Sequence, residues 1–174
     1  MKSSSTPCPL DEIPVICLKR CPYLRTYVTA LIGESWRQRT IPIPWKKGAT
    51  ILIYKAGATD NPTNFRPITR QPVCLKILTS LTRDRIYQFL VQNGYTERHI
   101  QKGFVPGLSG TFEHTANLSY IINQARLKQR SLTVTLLDLK NAFGELHHNL
   151  IRCVLQYHHV PSEIQLSVGS LYND

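Results

Sequence analysis

One apolar run that ends on a carboxylate constrains the fold of this chain more than any other feature. The run Leu132-Thr133-Val134-Thr135-Leu136-Leu137 follows a polar stretch and stops at Asp138. Its β-branched and aliphatic composition predicts a strand, and strict alternation would turn Asp138 toward the apolar face. A carboxylate buried there without a cation would be costly, and the run contains no Lys or Arg. We therefore predict that Asp138 lies at the strand end, where it can hold a metal ion; an aspartate that merely ends the strand is the alternative.

Positive charge is concentrated in one part of the chain. Between Ser35 and Phe112 there are twelve Lys and Arg against three Asp and Glu, and twelve minus three gives +9 of the formal net charge of +10. Such segregation favours a polyanion as partner and predicts salt-sensitive binding, with a merely solvated basic surface as the alternative. Within this stretch, four cations are predicted to contact a nucleic-acid backbone: Arg70, Lys76, Arg83 and Arg85.

The periodicity of apolar residues predicts mostly helices. Helical spacing covers residues 22–37, 72–94, 147–157 and 162–172, and another helix is predicted from 111 or 112 to 130. Residues 49–55 read as a short strand. A loop of turn-forming residues follows at 56–65, and the cations Lys55 and Arg66 flank it. This arrangement is typical of a hairpin that folds over phosphates.

Cysteine usage and hydropathy bear on the cellular compartment. Five cysteines form no Cys-x-x-Cys pair, and the N-terminus lacks the apolar core of a signal peptide. We expect a reduced, intracellular setting. No apolar run is long enough for a membrane span, so no membrane partner is expected.

Several motifs resemble the reverse transcriptases of non-LTR retrotransposons. The spacing in Leu137-Asp-Leu-Lys-Asn-Ala-Phe143 resembles the first palm motif of that family. Three further stretches resemble its fingers, in the same order and at compatible spacing: Trp45-Lys-Lys-Gly48, Ile53-Tyr-Lys-Ala-Gly57 and Asn64-Phe-Arg-Pro-Ile-Thr69. The resemblance extends over about residues 40–172.

The resemblance implies roles for individual residues. Asp138 would bind two catalytic Mg²⁺ ions, assisted by the backbone carbonyl of Leu139. Phe143 would be the steric gate against a ribose 2′-hydroxyl. Lys55 and Arg66 would contact the triphosphate of the incoming nucleotide, where the planar Arg fork donates bidentately and Lys acts as a point charge.

The resemblance also implies an architecture. The expected fold is α+β, with reverse transcriptase-like fingers, a partial palm, and helices packed on a small antiparallel sheet. The Ser-, Thr- and Pro-rich composition of the start of the chain predicts a mobile N-terminal segment, placed at 1–21. The other expected divisions are helical support and fingers at 22–112 and a partial palm at 113–174. The family's aromatic-x-Asp-Asp hairpin is not in this sequence. We therefore expect the strand ending at Asp138 to expose an edge, and this polypeptide alone to be inactive in DNA synthesis.

The predicted function is that of a fragment of an RNA-directed DNA polymerase, which performs two-metal nucleotidyl transfer to a primer 3′-hydroxyl. The implied partners are an RNA template, a DNA primer, deoxynucleotides and the remainder of the polymerase polypeptide, and the implied location is the nucleus. A non-catalytic nucleic-acid-binding remnant or domesticated derivative is the alternative. An unrelated basic α+β domain is a third interpretation.

Overall fold

A computed structural model describes residues 7–173 of the chain, except 98, 104, 106, 109, 140, 141 and 143. Two compact units are present: a first unit of residues 1–89 and 152–174, and a second unit of residues 90–151. The described residues combine helices with one two-stranded antiparallel sheet, which agrees with the predicted α+β class. Among them, no helix combines the length and apolar composition needed to cross a membrane. The division into fingers and palm stays a prediction.

The elements follow in chain order, and the predicted helices are confirmed with small differences at their ends. The bounds are α1 Val15–Arg20, α2 Pro22–Gln38, α3 Ile43–Lys46, β1 Ala49–Tyr54, β2 Phe65–Arg70, α4 Val73–Gln92, α5 Phe112–Leu127, α6 His148–Tyr157 and α7 Ser162–Tyr172. Pro22 occupies the first turn of α2, where a missing N–H leaves no hydrogen bond unmade. Pro161 is the N-cap residue of α7 and separates this helix from α6.

The core of the first unit forms where the start of α4 packs against α1 and α2. Leu75 of α4 is only 1% exposed, the lowest value among the buried residues. The full buried cluster comprises Leu18, Val28, Ile32, Ile41, Val73, Cys74, Leu75 and Leu78. Burial also raises the pKa of the Cys74 thiol, with a smaller contribution from the charge of Asp11.

The residues before α2 contribute to this core. Asp11 accepts a hydrogen bond through Oδ2 from the backbone N–H of Val73 at 2.5 Å. This bond satisfies a free donor at the start of α4, as a helix cap does, but from 62 residues away. Cys8 is buried, and its Sγ lies 3.5 Å from the carbonyl oxygen of Arg70. The segment assigned by composition to a mobile N-terminus therefore contains helix α1 and two tertiary contacts, while its first six residues lie outside the described ones.

The strands β1 and β2 form the predicted hairpin. They pair antiparallel from Ala49 opposite Arg70 to Tyr54 opposite Phe65. Every residue of both strands is exposed or half-buried. The small antiparallel sheet is therefore present as expected. The expected packing of helices on it is not seen among the described residues, because no residue of the sheet is buried.

The second unit is organised around α5 and the loop before it. Lys102 Nζ lies 2.6 Å from Glu113 Oε2, in the first turn of α5. His114 Nε2 donates to the carbonyl oxygen of Ile100 at 2.8 Å. Two adjacent residues of α5 thus hold the loop at its start. Helix α5 itself contains no buried residue.

The predicted strand ending at Asp138 is wrong for this structure. Residues 131–139 have no regular secondary structure, and all of them are exposed. A strand is stable only when its backbone groups pair with a neighbouring strand. In the part of the chain that the structure describes, the only paired strands are β1 and β2. The β-rich composition of the run is therefore insufficient on its own.

Replacing Leu75 by alanine should test the core. We expect Leu75→Ala to lower the free energy of unfolding by about 2–5 kcal/mol, since it removes buried methyl groups and leaves a cavity. Urea denaturation measures the change. The matched control is Leu81→Ala on the same helix, where the side chain is exposed; a comparable loss there would contradict the placement of the core.

The Lys102–Glu113 pair predicts a pH-dependent stability. The hydrogen bond and the charge of Lys102 lower the pKa of the Glu113 carboxyl. Its stabilisation is therefore fully present above the ordinary glutamate pKa of about 4.3 and is lost as the pH falls through the lowered value. We expect Glu113→Gln to lower the urea midpoint at neutral pH and to match the wild type in strong acid. Lys102→Gln should reproduce this pattern, whereas a pH-independent difference would show that the pair contributes nothing.

Candidate functional site

The closed end of the β1–β2 hairpin brings two predicted site residues together. Arg66 is paired with Ile53 in the ladder. The backbone N–H of Lys55 donates to the carbonyl oxygen of Asn64 at 2.8 Å, which extends the ladder by one residue beyond β1. Because side chains alternate along a strand, Ile53, Lys55 and Arg66 share one face. The closed end of the hairpin thus presents two cations on the same face.

Hydrogen bonds within the loop fix its shape. Asn64 Nδ2 donates to the carbonyl oxygen of Ala58 at 2.8 Å. Asn61 Oδ1 accepts from the backbone N–H of Thr63 at 3.0 Å and from its hydroxyl at 2.8 Å. The Tyr54 hydroxyl donates to the carbonyl oxygen of Gly57. These bonds hold the loop between the two cations in one conformation.

Gly57 is required by this conformation for two reasons. Its φ is +101°, in a region that residues with a side chain rarely adopt. A Cβ at this position would also lie 2.6 Å from Asn64 Nδ2, too close for any van der Waals contact. Gly57, Asn61 and Asn64 therefore support the site without being named among its predicted residues. The signal was present in the sequence, since Gly and Asn are the residues of tight turns.

The aromatic residues at the end of the hairpin occupy the opposite face. The rings of Tyr54 and Phe65 are a directly opposed pair with centroids 5.6 Å apart and planes tilted by 59°. Such pairs stabilise a two-stranded ribbon beyond their buried area. They therefore help to fix the register in which Arg66 lies opposite Ile53 and Lys55 bonds to Asn64.

The two cations of the hairpin are open to solvent and to ligands. Lys55 and Arg66 are both exposed. In the described part of the chain, no carboxylate lies within ion-pair distance of either, although Asp60 belongs to the same loop. Their charges are therefore available to an external anion.

The four other predicted cations lie in different environments. Arg70 ends β2 on the same face as Arg66 and is half-buried. Lys76 is half-buried in the first turns of α4. Arg83 is engaged by its neighbours, with its guanidinium 2.7 Å from Asp84 Oδ1 and 3.1 Å from the hydroxyl of Ser80.

Arg85 is held by an aromatic ring from another helix. Its guanidinium carbon lies 4.2 Å from the ring centroid of Trp36, which is the geometry of a cation–π contact. The contact joins α4 to α2. Among these four cations, Arg70 lies on the hairpin and the other three lie on α4.

Asp138 and Leu139 belong to the second unit, whereas Lys55 and Arg66 belong to the first. Both Asp138 and Leu139 are exposed in the irregular segment 131–139. Phe143 lies outside the described residues. Among the residues that are described, no group of three or more His, Cys, Asp and Glu could hold a metal ion. A two-magnesium site needs several carboxylates, so the donor set described here does not fit it.

Comparisons with known proteins identify similar sequences in mobile elements. The chain is 30% identical over 125 residues to the "Retrovirus-related Pol polyprotein from type-1 retrotransposable element R2" of Nasonia vitripennis, which covers 72% of this chain. The protein of the same description from Popillia japonica is 31% identical over 117 residues, or 67% of the chain. A "Probable RNA-directed DNA polymerase from transposon X-element" of Drosophila melanogaster is 28% identical over 70% of the chain.

The matched region is a small part of each relative. It covers 12% of the Nasonia protein, 16% of the Popillia protein and 13% of the Drosophila protein. No family model matches the chain.

Replacing Gly57 by alanine should disrupt the hairpin end. We expect Gly57→Ala to increase the hydrogen-exchange rate of the Lys55 amide about tenfold, because strain of roughly 1–3 kcal/mol is placed in the loop that this amide closes. Nuclear magnetic resonance measures the exchange.

The matched control is Gly33→Ala inside helix α2. Nothing lies within 4 Å of its added Cβ, and alanine is the better helix former by about 1 kcal/mol. We expect this variant to be slightly more stable and to leave the Lys55 amide unaffected. Unchanged exchange in Gly57→Ala would mean that the loop conformation is not the one described.

Proposed function

Because this chain belongs to the family of non-LTR retrotransposon reverse transcriptases, we propose that it is part of an RNA-directed DNA polymerase and that its β1–β2 hairpin binds the triphosphate of the incoming nucleotide. The descriptions of the similar R2 and X-element proteins support the polymerase assignment.

The observation that carries the proposal is the pair of exposed cations on one face of a fixed hairpin end. Lys55 and Arg66 flank a loop closed by its own hydrogen bonds, and no described carboxylate neutralises either. A triphosphate offers several adjacent anionic oxygens. Arg66 suits bidentate donation to two of them, and Lys55 adds a point charge. The hairpin would bind and orient the nucleotide through these contacts.

The extended ladder explains why the two cations can act together. The bond from Lys55 N–H to Asn64 fixes the first cation relative to the strand that carries the second. A preorganised pair loses less conformational entropy on binding than two cations on a mobile loop. Arg70 lies on the same face at the base of the hairpin. We propose that Arg70 contacts the nucleic-acid backbone, together with Lys76, Arg83 and Arg85 of α4.

For the second unit we propose a role in the same polymerase. Asp138 offers a carboxylate and Leu139 a backbone carbonyl, both of them oxygen ligands of the kind that magnesium prefers. Phe143 is proposed as the gate against the ribose 2′-hydroxyl. Since the described residues do not complete a two-ion site, no catalytic step is assigned to them, and nucleotidyl transfer is proposed for the complete enzyme.

A second candidate function is nucleic-acid binding without catalysis. It is favoured by one observation: Asp138 stands on an irregular, exposed segment with no cluster of metal ligands among the described residues. The basic stretch 35–112 would then be the functional part. Magnesium-dependent primer extension on an RNA template, with a longer polypeptide of the same element that contains this chain, separates the two functions. Extension that Asp138→Ala abolishes favours the polymerase, and no extension with intact nucleic-acid binding favours the second candidate.

The nucleotide site is tested by removing one cation at a time. We expect Arg66→Ala and Lys55→Ala each to weaken binding of a deoxynucleoside triphosphate about tenfold or more, because each removes a charged hydrogen-bond donor. Isothermal titration calorimetry on the 174-residue protein measures the affinity.

The matched control for this test is Arg20→Ala. Arg20 is an exposed arginine in the last turn of α1, so the variant loses the same charge elsewhere in the first unit. We expect its affinity for the nucleotide to match the wild type. Equal losses in all three variants would indicate a general charge effect and would contradict a site at the hairpin.

A further inference from the structure

A groove lined by both polar and apolar residues lies in the first unit, apart from the hairpin. Its volume is about 930 Å³, and it is lined by the end of α2, by α3, by α6 and by α7. The charged residues that line it are all cations, namely Arg39, Lys46 and Arg152. No carboxylate is among the described lining residues. The nearest acid of α2, Glu34, is paired with Arg37 at 2.6 Å.

Arg39 enters this groove from an unusual backbone conformation. Its φ of +55° and ψ of 28° are left-handed, and it stands directly after α2. Helices commonly end on such a residue, but it is usually Gly or Asn, because a larger side chain raises the energy. Two hydrogen bonds hold the turn. The Arg39 N–H donates to the carbonyl oxygen of Trp36 at 3.1 Å, and the Ser35 hydroxyl donates to the carbonyl oxygen of Thr40 at 2.6 Å. Arg39 thus places a cation at the groove in a conformation that glycine adopts more easily.

Lys46 and Arg152 both donate hydrogen bonds to oxygen atoms of the neutral residue Asn173. Lys46 Nζ donates to the backbone carbonyl of Asn173. The Arg152 guanidinium donates to the side-chain oxygen of the same Asn173 at 3.4 Å. Lys46 is half-buried, so its charge has lost part of its hydration without gaining an anionic partner among the described residues. An anionic oxygen in place of either Asn173 oxygen would compensate this loss.

The walls of the groove are suited to a ligand that also offers neutral polar groups. Gln156 and Ser162 line it with an amide and a hydroxyl. The groove is also larger than a single inorganic anion needs. Positively charged grooves that follow a sugar-phosphate backbone are characteristic of proteins that bind single-stranded nucleic acid. A rigid duplex would contact an open surface more readily than a groove of this size.

From these observations we propose that the groove of Arg39, Lys46 and Arg152 binds the phosphodiester backbone of single-stranded nucleic acid. The strand would place phosphate oxygens on Lys46 and Arg152 in place of Asn173. Arg39 would meet the next phosphate at the groove entrance. This site is independent of triphosphate binding by the hairpin and does not need it.

The test measures binding of a fluorescent oligouridylate of about 12 nucleotides to the whole protein, by anisotropy over a range of salt concentrations. The groove variant combines Arg39→Gln, Lys46→Gln and Arg152→Gln. We expect its affinity to fall at least tenfold at low salt. The slope of log affinity against log salt should become shallower by about 2, because roughly 0.7 is lost for each phosphate contact of a single strand.

The matched control removes three exposed cations outside the groove, by Lys19→Gln, Arg20→Gln and Arg25→Gln. It should keep the wild-type slope. A hairpin variant, Lys55→Gln with Arg66→Gln, should lose nucleotide binding but keep oligouridylate binding, so that failure of either site is seen separately. Equal loss in the groove and control variants, or no loss in the groove variant, overturns the proposal.

A second measurement keeps the test decisive if the groove variant unfolds. Wild-type protein is cross-linked by ultraviolet light to an oligonucleotide that contains thiouridine, and the modified peptides are identified. Cross-links within residues 38–46 or 152–173 support the groove. Cross-links confined to other peptides overturn it.

Discussion

Burial of the first turns of α4 is the interaction on which the rest of the first unit depends. Leu75 and its neighbours pack against α1 and α2, and Asp11 closes the free end of the helix through Val73. Helix α4 follows the hairpin almost directly along the chain, since β2 ends at Arg70 and α4 begins at Val73. A two-stranded ribbon that no helix covers has little stability of its own. Its base is contacted by Cys8 at the Arg70 carbonyl oxygen, and its closed end is held by the Tyr54–Phe65 pair and the loop hydrogen bonds.

The distribution of charge connects this scaffold to function. Some arginines already contact other groups of the protein, such as Arg85 over the ring of Trp36 and Arg83 beside Asp84. Lys55 and Arg66 have no such carboxylate among the described residues, and the only acceptor described for Lys46 is a neutral carbonyl oxygen. Unneutralised cations on fixed backbone repel one another, so they cost stability until an anion binds. Two separate sites of this kind, on the hairpin and in the groove, fit a protein that binds a nucleotide and a nucleic-acid strand at once.

The segment 131–139 is irregular and exposed despite its apolar composition. Leu136 and Leu137 are 84% and 94% exposed, although their sequence is among the most β-prone of the chain. A strand acquires its hydrogen bonds and its cover from other strands, and none in the described part of the chain supplies them. Asp138, near the end of this segment, is likewise exposed and outside any strand. A carboxylate becomes part of a two-ion metal site only when the fold holds other ligands beside it, which one motif cannot do alone.

The sequence by itself determined the elements whose causes are local. The five longer helices, the hairpin with its flanking cations Lys55 and Arg66, and the family were predicted from periodicity, turn residues and ordered motifs, since these depend on neighbours along the chain. The short helices α1 and α3 were not predicted. Only the tertiary structure decided which cations contact other groups of the protein. The Arg85–Trp36 contact, the cap from Asp11 to Val73 and the groove between Lys46 and Arg152 all join residues far apart in sequence. It also decided that the run before Asp138 is not a strand, because pairing energy comes from a partner that no local pattern can supply.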